Sequence, residues 1–306
     1  MLFSGPVPAT RPPFDPELAG ELPGIRAVRP PVVDDAAIPL LRAGLPGTAL
    51  TSDDPRFTVE QSGRLLIFRP PEPAGLLYFI HGGGFVAGDH RLGLADPLDW
   101  AAELSLVLVS VDYRLAPEHR HPVPVEDCYA GLVAAAALEP APPRIVLAGV
   151  SAGGGLAAAV ALLARDRGGP RLAGQLLIGP MLDERNDSRS ARQMDGAGVW
   201  DRTANETGWR SLLGPDRRTG PVSPYASPAH ATDLSGLPPA YIDVGSAETF
   251  RDEDVAYAGA IWAAGGEAEL HVWPGGYHGF DTLVPGARIS RSAKAARIDW
   301  LRRLLT

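Results

Sequence analysis

Cysteine occurs once in the 306 residues, at Cys128, so the chain closes no disulfide of its own and offers no cysteine-based zinc site. Lysine also occurs once, at Lys294, which leaves arginine to supply nearly all of the positive charge. Positive charge is the minority sign, with 28 basic against 36 acidic residues and a formal net charge of −8. That balance excludes the electrostatic footprint of a nucleic-acid binder or of a protein drawn to anionic lipid. Neither His-Glu-x-x-His nor a His/Asp cluster at ligand spacing occurs, so no metal is expected. The segment Met1–Gly20 has no apolar core behind a basic start and does not read as a signal peptide. One uncharged run of twenty residues exists, Ile145–Ala164, but it holds Ser151 and four glycines. Its β-branched first half and Ala/Leu-rich second half describe a buried strand turning into a buried helix rather than a bilayer span. A cytoplasmic protein that meets neither nucleic acid nor membrane is the expectation.

Hydrophobic residues make up 45% of a chain long enough for one large α/β domain or two small ones. Residues 1–50 are Pro-rich, with short helical patterns at Pro16–Leu22 and Val33–Arg42. Seven short apolar runs then read as strands: Arg64–Phe68, Leu76–Ile80, Leu106–Val111, Ile145–Val150, Gln175–Ile178, Ala240–Val244 and Glu269–Trp273. Helical patterns at Asp99–Leu104, Val125–Leu138, Ala152–Arg167, Arg251–Ala264 and Ser290–Leu305 separate most of them. Such alternation predicts a mostly parallel sheet covered on both faces. Between Leu182 and Leu234 no strand pattern appears, and an insertion of that length reads as a lid or cap.

The chemistry concentrates at two glycine-rich junctions. Gly149-Val150-Ser151-Ala152-Gly153 stands where the strand Ile145–Val150 meets a helix, which is the pattern of a nucleophile elbow. Small neighbours let the serine sit on a tight, strained turn, and the helix N-terminus behind it presents free N–H groups to a developing oxyanion. His81-Gly82-Gly83-Gly84-Phe85 follows the strand Leu76–Ile80, and consecutive glycines can point several N–H groups one way. The amides of Gly83, Gly84 and Ala152 are therefore the candidate oxyanion hole. Gly82–Ala87 also fits the dinucleotide pattern G-x-G-x-x-A, but no helical pattern opens behind it, which disfavours a nicotinamide-dependent oxidoreductase.

Of seven histidines, His278 lies in a Gly-rich loop just past the last strand and is the candidate base. His271 reads as a packed core residue, and His90, His119, His121 and His230 as surface positions. The chain order nucleophile, acid, histidine places the acid between residues 151 and 278. Glu248, on the loop after Ala240–Val244, is the first candidate, and Asp252, opening the next helix, is the alternative.

Together His81–Phe85, Asp112-Tyr-Arg-Leu-Ala-Pro-Glu118, Gly149–Gly154 and Tyr277-His-Gly-Phe280 resemble the hormone-sensitive-lipase-like (family IV) bacterial esterases over about residues 57–306. The resemblance implies a single α/β-hydrolase domain over residues 1–306, with an eight-stranded, mostly parallel sheet. It also implies a helical cap built from about 1–50 and about 183–230. It further implies no cofactor, a small-molecule ester of short to medium acyl chain as substrate, and a homodimer through the sheet edge as one arrangement. Two departures stand out. Val150 occupies the elbow position where the family carries aspartate. Aligned on Arg251-Asp252-Glu253, the family's acid falls on Glu248, a glutamate in place of an aspartate. Glu118 reads either as a brace of the elbow or as an ordinary solvated carboxylate. Lactone, carbamate and arylamide hydrolysis use the same machinery, and a non-catalytic ligand-binding relative is the reading from a different class.

Overall fold

A computed structural model describes residues 10–30, 33–44 and 54–306. Two helices come first, α1 (Pro16–Ala27) and α2 (Ile38–Gly44). Asp15 starts α1 by accepting from the amides of Glu17 and Leu18, with Pro16 at the first helical position, where no N–H is needed. The sheet follows as β1 (Thr58–Ser62), β2 (Leu65–Arg69), β3 (Gly75–Ile80), β4 (Leu106–Val111), β5 (Ile145–Val150), β6 (Gly174–Ile178), β7 (Ala240–Gly245) and β8 (Ala268–Trp273). Its spatial order is β1-β2-β4-β3-β5-β6-β7-β8, antiparallel for the pairs β1–β2 and β2–β4 and parallel from β4 onward.

The connecting helices are α3 (Ala95–Glu103), α4 (Val123–Ala136), α5 (Ala152–Asp166), α8 (Arg251–Ala263) and α10 (Arg288–Leu305); between them come α6 (Arg189–Gln193), α7 (Arg202–Leu213) and the single turn α9 (Phe280–Leu283). Alternate residues of each inner strand serve opposite faces. Leu76, Tyr78 and Ile80 of β3 join the core with Cys128 and Leu132 of α4 and Leu156 of α5. Leu77 and Phe79 join the other core, with Leu98 and Trp100 of α3 and Trp300 and Leu301 of α10. Both faces are thus covered, as near-continuous apolar parallel strands require.

The strand absent from the sequence reading is β1. Its residues Thr58-Val-Glu-Gln-Ser62 are polar and almost wholly exposed, because an edge strand of this kind has no apolar face to bury. The helix expected at Asp99–Leu104 begins earlier, at Ala95, where Asp96 and Pro97 suit a first turn. The strandless segment 182–234 folds into α6, α7 and a short 3-10 turn at Pro228–His230. Of the expected cap segment 1–50, residues 1–9, 31–32 and 45–50 lie outside the described residues. Among the described residues no helix is long and apolar enough to cross a membrane.

Candidate active site

Strand β5 delivers its last residue into a turn that only small neighbours permit. Ser151 adopts φ 58° and ψ −125°, a conformation L-residues avoid, and then caps α5. A Cβ on Gly149 would meet Gly153 O at 2.2 Å, and one on Gly153 would meet Ile80 O at 2.2 Å, so the elbow closes only with glycine at both places. The Ser151 amide donates to Ile178 O and its carbonyl accepts from Gly155 and Met181, locking the turn between β6 and α5.

The structure brings Ser151, His278 and Glu248 together at the C-terminal ends of β5, β8 and β7. His278 Nε2 lies 2.9 Å from Ser151 Oγ, and His278 Nδ1 lies 2.5 Å from Glu248 Oε1. A carboxylate only accepts, so Nδ1 carries the proton and donates to Glu248, which leaves Nε2 free to accept from the serine hydroxyl. The other oxygen, Glu248 Oε2, accepts from the Gly245 amide at 3.0 Å. Phe250 packs edge-on against the His278 ring at 5.1 Å, and Glu248 is 3% exposed, so the pair is screened from water.

Asp252 points elsewhere: its Oδ2 accepts from the Ser190 amide at the start of α6, and its Oδ1 pairs with Arg251. Its neighbours Glu253 and Asp254 are both buried. Glu253 accepts from the amides of Leu182 and Asp183, whereas neither oxygen of Asp254 has a partner among the described residues. Burial pushes both carboxyls well above the ordinary carboxylate range. A group raised in the folded state contributes stability that is complete below its unfolded pKa and is lost as pH rises through the folded one. The Asp254→Asn variant should therefore show a shallower fall of melting temperature than wild type as pH rises from about 4 to 9. Thermal scans across that range check it, and an unchanged slope would count against a protonated Asp254.

The loop His81–Phe85 approaches the serine from β3. Gly83 and Gly84 have φ 101° and 62°. A Cβ on Gly84 would lie 2.3 Å from the Trp200 ring and one on Gly83 2.0 Å from Ala87 O. The amides of Gly83, Gly84 and Ala152 have no hydrogen-bond acceptor among the described residues. His81 anchors this loop: its ring stacks on Tyr113 at 4.3 Å, and Nδ1 lies 2.8 Å from Gly82 O. Burial lowers the His81 pKa to about 4, which keeps the ring neutral. The Tyr113 hydroxyl reaches both His81 O (3.1 Å) and Gly82 O (3.2 Å). Glu118 does not brace the elbow. It pairs with Arg42 of α2, which holds its carboxyl down at about 2, and Arg42 also donates to Val86 O and Ala116 O.

A cavity of about 170 Å³ opens over Ser151 and His278, walled mainly by Leu41, Leu92, Val199, Trp200 and Leu283. Val150, the elbow substitution, lines it too and separates it from a smaller cavity bounded by Asp243, Asp281 and Arg297. No sequence signal points to Leu41 or Trp200, which reach the cavity through packing between residues distant in the chain. Helix α1 supports the loop of His278 from outside: Leu18 and Leu22 pack on Tyr277 and Phe280, and the Asp15 amide donates to Gly275 O. Two histidine readings change. His90 is buried rather than superficial, and His271 is only partly buried, stacked between Tyr241 and Trp273. Asp183, Glu184 and His230 each offer a ligand atom within 4.8 Å of the others, a grouping that linear spacing does not reveal. His230 is bonded to Glu184 and Asp183 to Arg185, and none of the three lines the cavity over Ser151.

A family of the α/β-hydrolase fold matches residues 77–282. The chain is 37% identical over 238 residues to the esterase LipI of Mycobacterium tuberculosis, covering 72% of each. It is also 37% identical over 223 residues to that organism's carboxylesterase NlhH, covering 69% of each. Among solved structures, a bacterial heroin esterase superposes with a TM-score of 0.85 at 35% identity, over 96% of this chain and 98% of that one. An esterase of the hyperthermophilic archaeon Pyrobaculum calidifontis superposes with a TM-score of 0.82 at 27% identity, over 96% of this chain and 100% of that one. Because the family match covers more than half of the residues and these esterases align over more than two thirds, the chain belongs to the hormone-sensitive-lipase-like (family IV) carboxylic ester hydrolases of the α/β-hydrolase fold.

Proposed function

We propose that the protein is a serine esterase that cleaves short- to medium-chain carboxylic esters through an acyl-enzyme on Ser151. The observation that carries the reading is the continuous hydrogen-bonded line Ser151–His278–Glu248 at 2.9 and 2.5 Å. Ser151 Oγ attacks the ester carbonyl as His278 Nε2 takes its proton, and Glu248 stabilises the imidazolium that forms. The amides of Gly83, Gly84 and Ala152 receive the oxyanion, each donor being worth about 3–4 kcal/mol of barrier. His278 then protonates the leaving alcohol. In the second half-reaction it activates water to release the acid and restore Ser151.

Val150 does not interrupt this scheme, because the elbow position before the serine supplies no proton and no oxyanion contact. The residues Leu41, Val199 and Trp200 act as a cap over the site, drawn from the segments about 1–50 and about 183–230. The cavity, at about 170 Å³, is smaller than the roughly 300–1,000 Å³ of pockets for drug-sized ligands, which favours short acyl groups. In the test, 4-nitrophenyl acetate, butyrate and decanoate are offered to the purified chain alongside a fluorophosphonate label. Hydrolysis of acetate and butyrate at least about tenfold faster than decanoate, with one label per chain, is expected. A protein silent in both assays would instead be a ligand-binding relative.

A further inference from the structure

Among the described residues, Arg29 is the one arginine, lysine or carboxylate residue that lines the cavity over Ser151 and His278. Its amide donates to Arg26 O, but its guanidinium has no hydrogen-bond or ion-pair partner among the described residues. Other arginines of the N-terminal helices are engaged: Arg26 on Gly196 O and Arg42 on Glu118. Asp201 shares a second small cavity with Arg29 but makes no ion pair with it. Each Asp201 oxygen accepts from a backbone amide, Oδ1 from Ala204 at the opening of α7 and Oδ2 from Gly196. A half-buried guanidinium without a counter-charge is costly unless a ligand supplies one, and its planar fork matches a carboxylate. Burial does push the Arg29 pKa down, opposed only by the nearby Tyr277 phenol.

We propose that Arg29 anchors a carboxylate carried by the substrate, so that the site prefers anionic esters: half-esters of dicarboxylic acids or esters of hydroxy acids. The inference rests on the serine-esterase reading and adds the substrate class. The reaction itself is unchanged. Water adds across the acyl–oxygen bond to give an alcohol and a carboxylate with release of one proton, and the anchored carboxylate is a spectator. Trp200, Val199 and Leu41 hold the apolar part between the reacting carbonyl and Arg29.

Four esters test this in two pairs. Mono-4-nitrophenyl adipate against its methyl ester places the charge on the acyl side; 4-acetoxybenzoate against its methyl ester places it on the alcohol side. In one pair the charged member should have a kcat/KM at least about tenfold above its neutral partner. Arg29→Gln should bring that ratio to about one, and Arg29→Lys should keep part of it. A reading that needs no variant is the wild-type KM for the preferred anion, which should rise with ionic strength. Neutral esters preferred in both pairs, a preference that survives Arg29→Gln, or a salt-independent KM would overturn the anchoring role while leaving ester hydrolysis standing. Silence on all four esters would overturn the esterase reading and this inference with it.

Discussion

Replacing Ser151 with alanine should lower kcat for 4-nitrophenyl butyrate by about 10⁴-fold or more and abolish fluorophosphonate labelling. The loss is expected to be that large because, among the described residues, no other hydroxyl lies on His278 Nε2. The amides around the site would still bind the ester, so KM should change far less than kcat. Folding should be indifferent to this change, since alanine at φ 58° bears the same backbone strain as serine. Glycine does not bear it: Ser151→Gly should be equally inactive yet more stable by roughly 1 kcal/mol, the released part of a strain of roughly 1–3 kcal/mol. Melting curves of the three proteins beside their kinetics separate the two effects. An alanine variant retaining a hundredth of wild-type turnover would remove Ser151 from the mechanism.

The second large effect concerns stability. Arg297 of α10 is buried between Asp243, which it meets at 2.8 Å through Nε and 3.1 Å through Nη2, and Asp281, which it meets through Nη1. One cation serves two acids. The Asp281 carboxyl is held below its ordinary value by this pairing despite its burial, whereas burial keeps Asp243 above its own. Arg297→Met would strand both carboxylates in a dry site and should cost about 3–5 kcal/mol at pH 7. The deficit should shrink as pH falls, because the stranded acids then take up protons; adding Asp243→Asn and Asp281→Asn should recover much of it. Urea melts at two pH values decide the matter, and a single variant within about 1 kcal/mol of wild type at pH 7 would contradict a structural role for the cluster. Because the same cluster backs the cavity behind Glu248 and His278, activity should fall along with stability.

The parts of the site that could be read directly from the chain are those whose chemistry is local. An elbow needs its glycines within two residues of the serine, and a loop of donors needs consecutive glycines, so His81–Phe85 and Gly149–Gly153 are visible as strings. Glu248 and His278 follow as candidates from chain order together with strand ends, and the fold sets them 2.5 Å apart. Long-range partners left no such trace. Arg42 reaches Glu118 across 76 residues, and Arg297 reaches Asp243 across 54, through contacts that only the folded sheet creates. Nothing in the pattern of Thr58–Ser62 distinguishes an exposed edge strand from loop, because backbone pairing with β2 holds it there and Val59 is its one residue packed on the core. The unpaired state of Arg29 is likewise a fact of three dimensions, since the acids near it in the chain, Glu21, Asp34 and Asp35, are candidate partners that the fold does not use.

The family match begins at residue 77, whereas α1 supports the loop of His278 and Arg42 of α2 grips the backbone beside the loop His81–Phe85. Part of the wall of the cavity, Arg29 and Leu41, therefore comes from a stretch of the gene outside the family match, whereas Leu92, Val199 and Trp200 come from within it. Drift or recombination upstream of residue 77 can change which ester is accepted while every catalytic string stays intact. For proteins that share those strings, substrates have to be established one chain at a time.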